Sequence, residues 1–285
     1  MLIPVVAFYL IFCYAPMGGL QIAFKDFSPG LGIWGSEWVG FKHFEDFFGN
    51  YYFFRLLGNT LAISVSSLVF GFPIPIIFAI LVNELSNRHF RRVVQSVTYF
   101  PHFISVVVIC GLLVDFCSDD GVVSQAISMV TGSPAGNVLQ AKQNFVPTYV
   151  VSGIWQSFGW NSIIYLAALT AIDSQLYEAA VIDGAGRFKQ IWHVTLPGIL
   201  PTVSIMLILA IGNIMNVGWE KIILLYSPAT YETADVISSF VYRRGMVQAD
   251  YSYATAVGLF NSIINFILVF SSNRISRKLT GNSLW

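Results

Sequence analysis

Charge is what this sequence lacks most. Only 11% of its 285 residues are Asp, Glu, Lys or Arg, against about 25% in an ordinary soluble domain. So few charges cannot cover the surface of a water-soluble protein of 31.6 kDa, which excludes a soluble globular enzyme and a disordered chain. The formal net charge is zero, so no basic face exists to neutralise phosphates and nucleic acid is not an expected partner. Cysteine is scarce as well. Cys13, Cys110 and Cys117 lie in apolar surroundings and read as small buried hydrophobes, not a disulfide framework. His43, His89, His102 and His193 are scattered without metal-ligand spacing. The sequence has no HExxH, no GxSxG and no GxxxxGKS/T phosphate loop. No catalytic residue, metal ligand or cofactor of the chain's own is therefore expected.

What is present is apolar. Hydrophobic residues make up 55% and aromatics 15% of the chain, with a mean hydropathy of +0.68. A helix that crosses a bilayer needs about 20 apolar residues. Seven charge-free runs reach that length: 1–24, 56–83, 93–114, 121–141, 143–172, 194–219 and 251–273. The run 121–141 is too rich in Ser, Gln, Asn, Gly and Pro to sit in lipid and reads as a short amphipathic helix, Val122 to Val130, followed by a loop. Six spanning helices remain. The runs are long and continuously apolar, unlike the short alternating strands of a membrane barrel. Pro16, Pro73, Pro75 and Pro101 fall inside them, which a helical bundle tolerates as kinks. The expected fold is an all-α polytopic membrane protein, a single transmembrane domain over 1–285.

Basic residues set the orientation. The connections 84–92, 173–193 and 274–285 hold eight Lys and Arg, while connections more than twice as long in total (25–55, 115–142 and 220–250) hold seven. The denser set is expected in the cytoplasm, with both chain ends, and the opposite set carries eleven of the fifteen carboxylates. The first run begins at Met1 without a basic flank. Either a cytoplasmic tail precedes it or later loops orient it; a cleaved signal peptide lacks both the basic start and a small-residue cleavage site.

One cytoplasmic connection, about 173–197, departs from an ordinary loop. Helix formers run from Glu178-Ala179-Ala180 to Ile182, and Gly184 and Gly186 then permit a sharp turn. A second short helix, Arg187 to His193, pairs apolar Phe188, Ile191 and Trp192 with basic residues. Pro197 and Pro201 suit the opening turn of the next helix. The result reads as a compact apolar bump that suits docking into a partner's groove, or else as a surface helical hairpin without a partner.

The pattern Glu178-Ala179-Ala180, Gly184, Val194, Leu196-Pro197 resembles the EAA loop of ABC importer permeases, at the family's position in the penultimate cytoplasmic loop. The resemblance spans the chain. It includes Trp38-Val39-Gly40-Phe41, Asn83-Glu84-Leu85, Tyr99-Phe100-Pro101-His102, Trp155-Gln156-Ser157-Phe158-Gly159-Trp160 and Tyr251-Ser252-Tyr253-Ala254. Together these resemble the polysaccharide and oligosaccharide permeases of the carbohydrate importer group, an alginate-type subunit among them. The resemblance implies a type I, maltose-permease-like fold in a bacterial inner membrane. It implies a second permease subunit, identical or different, and an external solute-binding protein. It also implies an ATPase dimer whose subunits, not this chain, bind ATP and Mg.

Residue by residue, the resemblance makes Glu178 the carboxylate that faces a basic group of the ATPase. Ala179, Ala180 and Ala185 allow close approach, Gly184 makes the turn, and Leu196-Pro197 close the motif. Asp183 either forms the local turn or contacts the partner. Arg187 and Lys189 are expected to meet solvent or lipid headgroups. For a sugar path, polar groups inside spanning helices face the bundle interior. Asn213 and Asn216 are expected to share one face of helix five, and Asn261 and Asn265 one face of helix six. Trp155, Trp160, Asn161 and Tyr165 cluster in helix four. Interhelical hydrogen bonds and an aromatic belt at the membrane interface are the competing uses of these residues. Asp119, Asp120, Glu232 and Asp235 read as solvated loop charge, with a binding protein as the other possible partner. Two rival functions remain. An intramembrane enzyme would have only His102 and Ser105 at helical spacing. A stand-alone secondary transporter would lack midplane ionisable groups.

Overall fold

The computed structural model describes residues 2–134 and 136–284; Met1, where the first run begins, lies outside them. The chain is helical almost throughout, with one short antiparallel ribbon that pairs Lys25 with Trp38 and Asp26 with Glu37. Among the described residues, four helices are long and apolar enough to cross a membrane: Leu2–Phe24, Phe53–Asn83, Arg187–Gly212 and Tyr251–Lys278. A bent pair, Arg88–Phe103 with Val106–Phe116, adds a fifth candidate. The Phe145–Thr170 helix has 26 residues and no charge, although Gln156 and Asn161 dilute its hydropathy. These six elements are compatible with the six spans expected from the sequence.

Three of the expected boundaries move, each for a local reason. The run 93–114 is not one helix. It ends at Tyr99, passes through a tight turn over Phe100–Phe103 that contains Pro101, and restarts at Val106 at 96° to its first half. Pro101 has no N–H to continue the ladder, and Ser105 caps the new helix by accepting the Val108 N–H at 3.4 Å. Helix five ends at Gly212, not 219, and the chain is unwound over 213–218 before a short helix, Trp219–Leu225. At its other end, helix five begins earlier than expected. The short helix that starts at Arg187 does not stop at His193 but runs on through a π turn, Ile191–Thr195, into Leu196–Gly212. Pro197 lacks the donor that the His193 carbonyl would need, and the wider turn takes up that mismatch. Pro201 lies inside the continuous helix instead of at its start.

Three buried clusters hold these helices. Ala79, Ile80, Tyr165, Leu169 and Ile199 join the helices that lead to the 173–197 connection. Phe47, Leu56, Met215, Ile237, Phe240, Tyr253 and Val257 form a second. Ile63, Cys110, Cys117, Phe145, Val217, Ile222 and Val236 belong to a third. Both buried cysteines are free, within apolar packing. Gly159 permits a close helix approach: a Cβ there would stand 2.2 Å from the Thr98 carbonyl oxygen. The first helix, by contrast, buries little over residues 2–20, where its Leu, Ile, Phe and Tyr side chains are exposed.

Candidate functional site

Two places in the molecule concentrate features that packing alone does not require. The first is the hairpin over 173–197. Asp173 opens the Ser174–Ile182 helix by accepting the Gln175 N–H at 2.9 Å. The helix closes with a Schellman motif: Ala185 N–H donates to the Ala180 carbonyl at 2.8 Å and Gly184 N–H to that of Val181 at 3.0 Å. Gly184 has φ +73°, a left-handed conformation that costs glycine least. Asp183 is the last residue before this turn, and its side chain, like that of Glu178, is exposed. The closed turn projects apolar groups outward. Ile182 is 85% exposed and Phe188 is 89% exposed. Ala179 is exposed, Ala180 and Ala185 are half-buried, and Leu196 and Pro197 continue into the π-turned helix.

This corner is braced from behind. The Tyr177 hydroxyl lies 3.0 Å from that of buried Thr195, inside the π turn. Gln190 donates to the Ala185 carbonyl at 2.8 Å. Arg187 is largely exposed, as expected, and also donates to the Glu84 carboxylate at 2.6 Å, at the end of the Phe53–Asn83 helix. Lys189 remains exposed. The Arg187 and Glu84 pair spans 103 residues, and neither residue's local sequence announces it.

The second place is a cavity of about 530 Å³ between the helices Phe53–Asn83, Phe145–Thr170 and Arg187–Gly212, closed at one side by the unwound 213–218 segment. Ser64, Ser67, Ser157, Asn161 and Tyr165 line it with Asn213 and Asn216, and its lining contains no acidic, basic or histidine side chain. A second hollow of about 440 Å³ is lined by Trp160 and shares Asn161 and Met206 with the first. Trp155 is in neither lining and is 47% exposed.

Of the two asparagine pairs, Asn261 and Asn265 share a helix face as the spacing suggested, whereas Asn213 and Asn216 lie at and beyond the end of helix five. Asn213 caps the end of helix five and Asn216 lies three residues past it, donating to the Asn213 amide oxygen at 3.3 Å. Asn261 and Asn265, on the Tyr251–Thr280 helix, hold the unwound backbone: Asn265 accepts the Met215 N–H at 3.2 Å, and Asn261 donates to the Met215 carbonyl at 3.2 Å. Asn261 also donates to the Asn216 side chain at 3.3 Å. Helix unwinding in an apolar interior frees backbone groups that a neighbour must satisfy, and two amides one turn apart do so here. Ser64, Ser67 and Tyr149 were missed by sequence reasoning. Ser64 and Ser67, three apart on one spanning helix, carried the only signal.

Other candidates are consumed inside the chain. Asp235 is 2% exposed and takes Arg243 in two hydrogen bonds of 2.8 and 2.7 Å. Glu232 pairs with Lys142, which holds its carboxyl below the usual range. His102 and Ser105 form no reactive pair: Ser105 caps a helix, and the His102 ring stacks on Trp160 at 4.7 Å.

Comparisons with known proteins agree with this architecture. Residues 71–281 match the family described as binding-protein-dependent transport system inner membrane component. Protein LplB of Bacillus subtilis (strain 168) is 44% identical over 286 residues, covering 100% of this chain and 90% of LplB. The polygalacturonan/rhamnogalacturonan transport system permease protein YteP of the same organism is 43% identical, covering 98% of this chain and 87% of YteP. A chain of a bacterial alginate ABC transporter, solved in complex with an alginate pentasaccharide-bound periplasmic protein, superposes with a TM-score of 0.90 at 44% identity, over 100% of this chain and 95% of that one. A chain of the MetNI methionine ABC transporter, 16% identical with a TM-score of 0.51 over 80% of this chain and 94% of that one, shares the fold alone.

Proposed function

The chain belongs to the family of binding-protein-dependent transport system inner membrane components and is a permease subunit of a sugar importer of the ABC type; within that class we propose a carrier of oligo- or polysaccharides, alginate-like chains among them. Relatives over the full length carry pectin-type polysaccharide and alginate in their names, which supports the polymer class. The partners we propose are a second permease subunit, an extracytoplasmic sugar-binding protein and a pair of ATPase subunits that bind ATP and Mg. The chain supplies no phosphate loop of its own. Both chain ends are assigned to the cytoplasm of a bacterial inner membrane on the Lys and Arg distribution.

The docking role rests on one observation: a Schellman-closed corner presents Ile182 and Phe188, each more than four-fifths exposed, beside the Glu178 carboxylate. A rigid apolar knob with an adjacent charge fits a cleft on a partner. ATP-driven closure of the ATPase pair draws two such knobs together and turns the cavity outward; hydrolysis restores the inward state, an alternation between two states biased by nucleotide. The cavity's serines and asparagines offer hydrogen bonds to sugar hydroxyls, and the Tyr165 ring offers a flat face to a pyranose.

The test is the assembled complex with Glu178→Lys or Gly184→Trp. Gly184→Trp forces a bulky side chain into φ +73°, a strained conformation for it. Sugar-stimulated ATP hydrolysis is expected to fall to the unstimulated level. Stimulation that survives both substitutions refutes the docking assignment, and recovery of this chain as a stable, sole subunit refutes the importer reading.

A further inference from the structure

Lys221 has no place in the docking corner or among the polar groups that line the cavity, yet it is 7% exposed. It sits in the Trp219–Leu225 helix, immediately after the unwound segment. Its Nζ donates to the Tyr149 carbonyl at 3.1 Å and lies 4.7 Å from the centre of the Tyr149 ring. A Cβ placed on Gly153 would stand 3.6 Å from that nitrogen. Tyr149, Gly153 and Gly218 all line the 530 Å³ cavity, so the ammonium stands directly behind its wall.

Among the described residues no carboxylate lies within ion-pair distance of Lys221, whereas Lys142, Arg243 and Arg244 each have one; its titratable neighbour is the buried Cys110 thiol. An ammonium has three donors, and a single carbonyl accepts from this one. Burial pushes its proton affinity down. A buried charge without a counter-charge is costly, and a hydrophobic residue of the same length would fill the space at less cost. The geometry therefore calls for an anion that comes and goes. Uncharged hydroxyl partners already line the cavity, so what Lys221 adds is recognition of negative charge on the same cargo.

Resting on the importer reading, we propose that Lys221 determines specificity for acidic sugars, its ammonium receiving the carboxylate of a uronic acid unit as the chain passes the 213–218 segment. With no side chain at Gly153, the wall in front of the nitrogen is thin, and a carboxylate approaches where a side chain would stand in the way. A second solved relative, 44% identical, is described as importing the acidic polysaccharide alginate, which supports a cargo of this chemistry.

The test uses the complete complex in proteoliposomes, supplied with an oligogalacturonate and with the same chain after its carboxyls are reduced to neutral alcohols. Each is given at a concentration that saturates the binding protein. The readout is the ratio of acidic to neutral uptake, which does not depend on how much complex folds. Lys221→Met is expected to lower that ratio at least about tenfold, the worth of one hydrogen bond to a charged group; Lys221→Gln lowers it similarly, and Lys221→Arg keeps it. An unchanged ratio in Lys221→Met and Lys221→Gln assigns the lysine to bracing Tyr149 and overturns the proposal. A wild-type complex that moves neither sugar overturns the importer reading beneath it.

Discussion

The two amides on the Tyr251–Thr280 helix should be the stabilising element of the unwound segment, and replacing Asn265 tests this directly. Its Oδ1 accepts the Met215 N–H at 3.2 Å, and Met215 is 1% exposed. Asn265→Leu fills similar volume but leaves that N–H without an acceptor where water does not reach. An unsatisfied buried donor costs about 1–3 kcal/mol. Side-chain hydrogen bonds between membrane helices have measured lower, about 0.6 kcal/mol on average, because the reference state also finds partners. The higher range applies here because the orphaned group is backbone at a fixed break and cannot turn elsewhere. Asn261→Leu removes the donor to the Met215 carbonyl and to Asn216, a loss of the same order. Since both amides clamp one residue, the double variant should be non-additive, with a coupling of about 0.5–3 kcal/mol. Unfolding of the assembled complex in mixed micelles, followed by a probe on this chain, gives all four corners of the cycle. A single-variant loss under about 0.5 kcal/mol, or strict additivity, refutes the clamp and leaves the break to be explained by the 213–218 sequence itself.

Two further substitutions test the packing frame. Gly159→Ala places a Cβ 2.2 Å from the Thr98 carbonyl oxygen, so the Phe145–Thr170 helix must separate from Arg88–Tyr99; a loss of about 1–3 kcal/mol is expected from such overpacking, and a neutral result by thermal unfolding denies the close approach. Asp235→Ala strands the Arg243 guanidinium, which is 23% exposed, and should cost about 3–5 kcal/mol, whereas replacing both partners with apolar residues of similar volume should recover most of it. If the single and double replacements are equally destabilised, the pair is not the source of the effect.

How much of this was legible in the sequence follows from how local each determinant is. The turn of the 173–197 hairpin was legible because Gly184 and the helix formers before it act within a few residues, and the Schellman turn needs little else. The breaks were not. Pro101 announces a kink, but its 96° bend also depends on Ser105 restarting the helix. Nothing between Asn213 and Val217 forbids a helix, and the unwinding is stabilised by side chains 46 and 50 residues later in the chain. Spacing brought the four asparagines into two pairs; only the fold shows that one pair holds the other. Asp235 was read as loop charge because its burial is invisible in the local sequence. The Arg187 pair with Glu84 was missed because its partners stand 103 residues apart.

The two sites are linked by one element. The Arg187–Gly212 helix begins in the docking corner and ends at the unwound segment that closes the cavity, a span of roughly 39 Å at 1.5 Å per residue. Its weakest point ought to be the π turn Ile191–Thr195, next to the missing donor of Pro197. That is where Tyr177 of the docking helix meets Thr195 and where Ile191 and Leu196 pack against the Ala79, Tyr165 and Ile199 cluster. The corner and the turn are therefore held as one body, and the next discontinuity along the chain is at Asn213. On the proposed coupling, a push at Ile182 and Phe188 is not absorbed in the hairpin but reaches the 213–218 segment. That segment is tied to the Tyr251–Thr280 helix by side-chain amides instead of a continuous backbone ladder, and it is the part of the cavity wall best able to yield. The polar groups that remained unexplained by packing thus sit where the rigid helix ends.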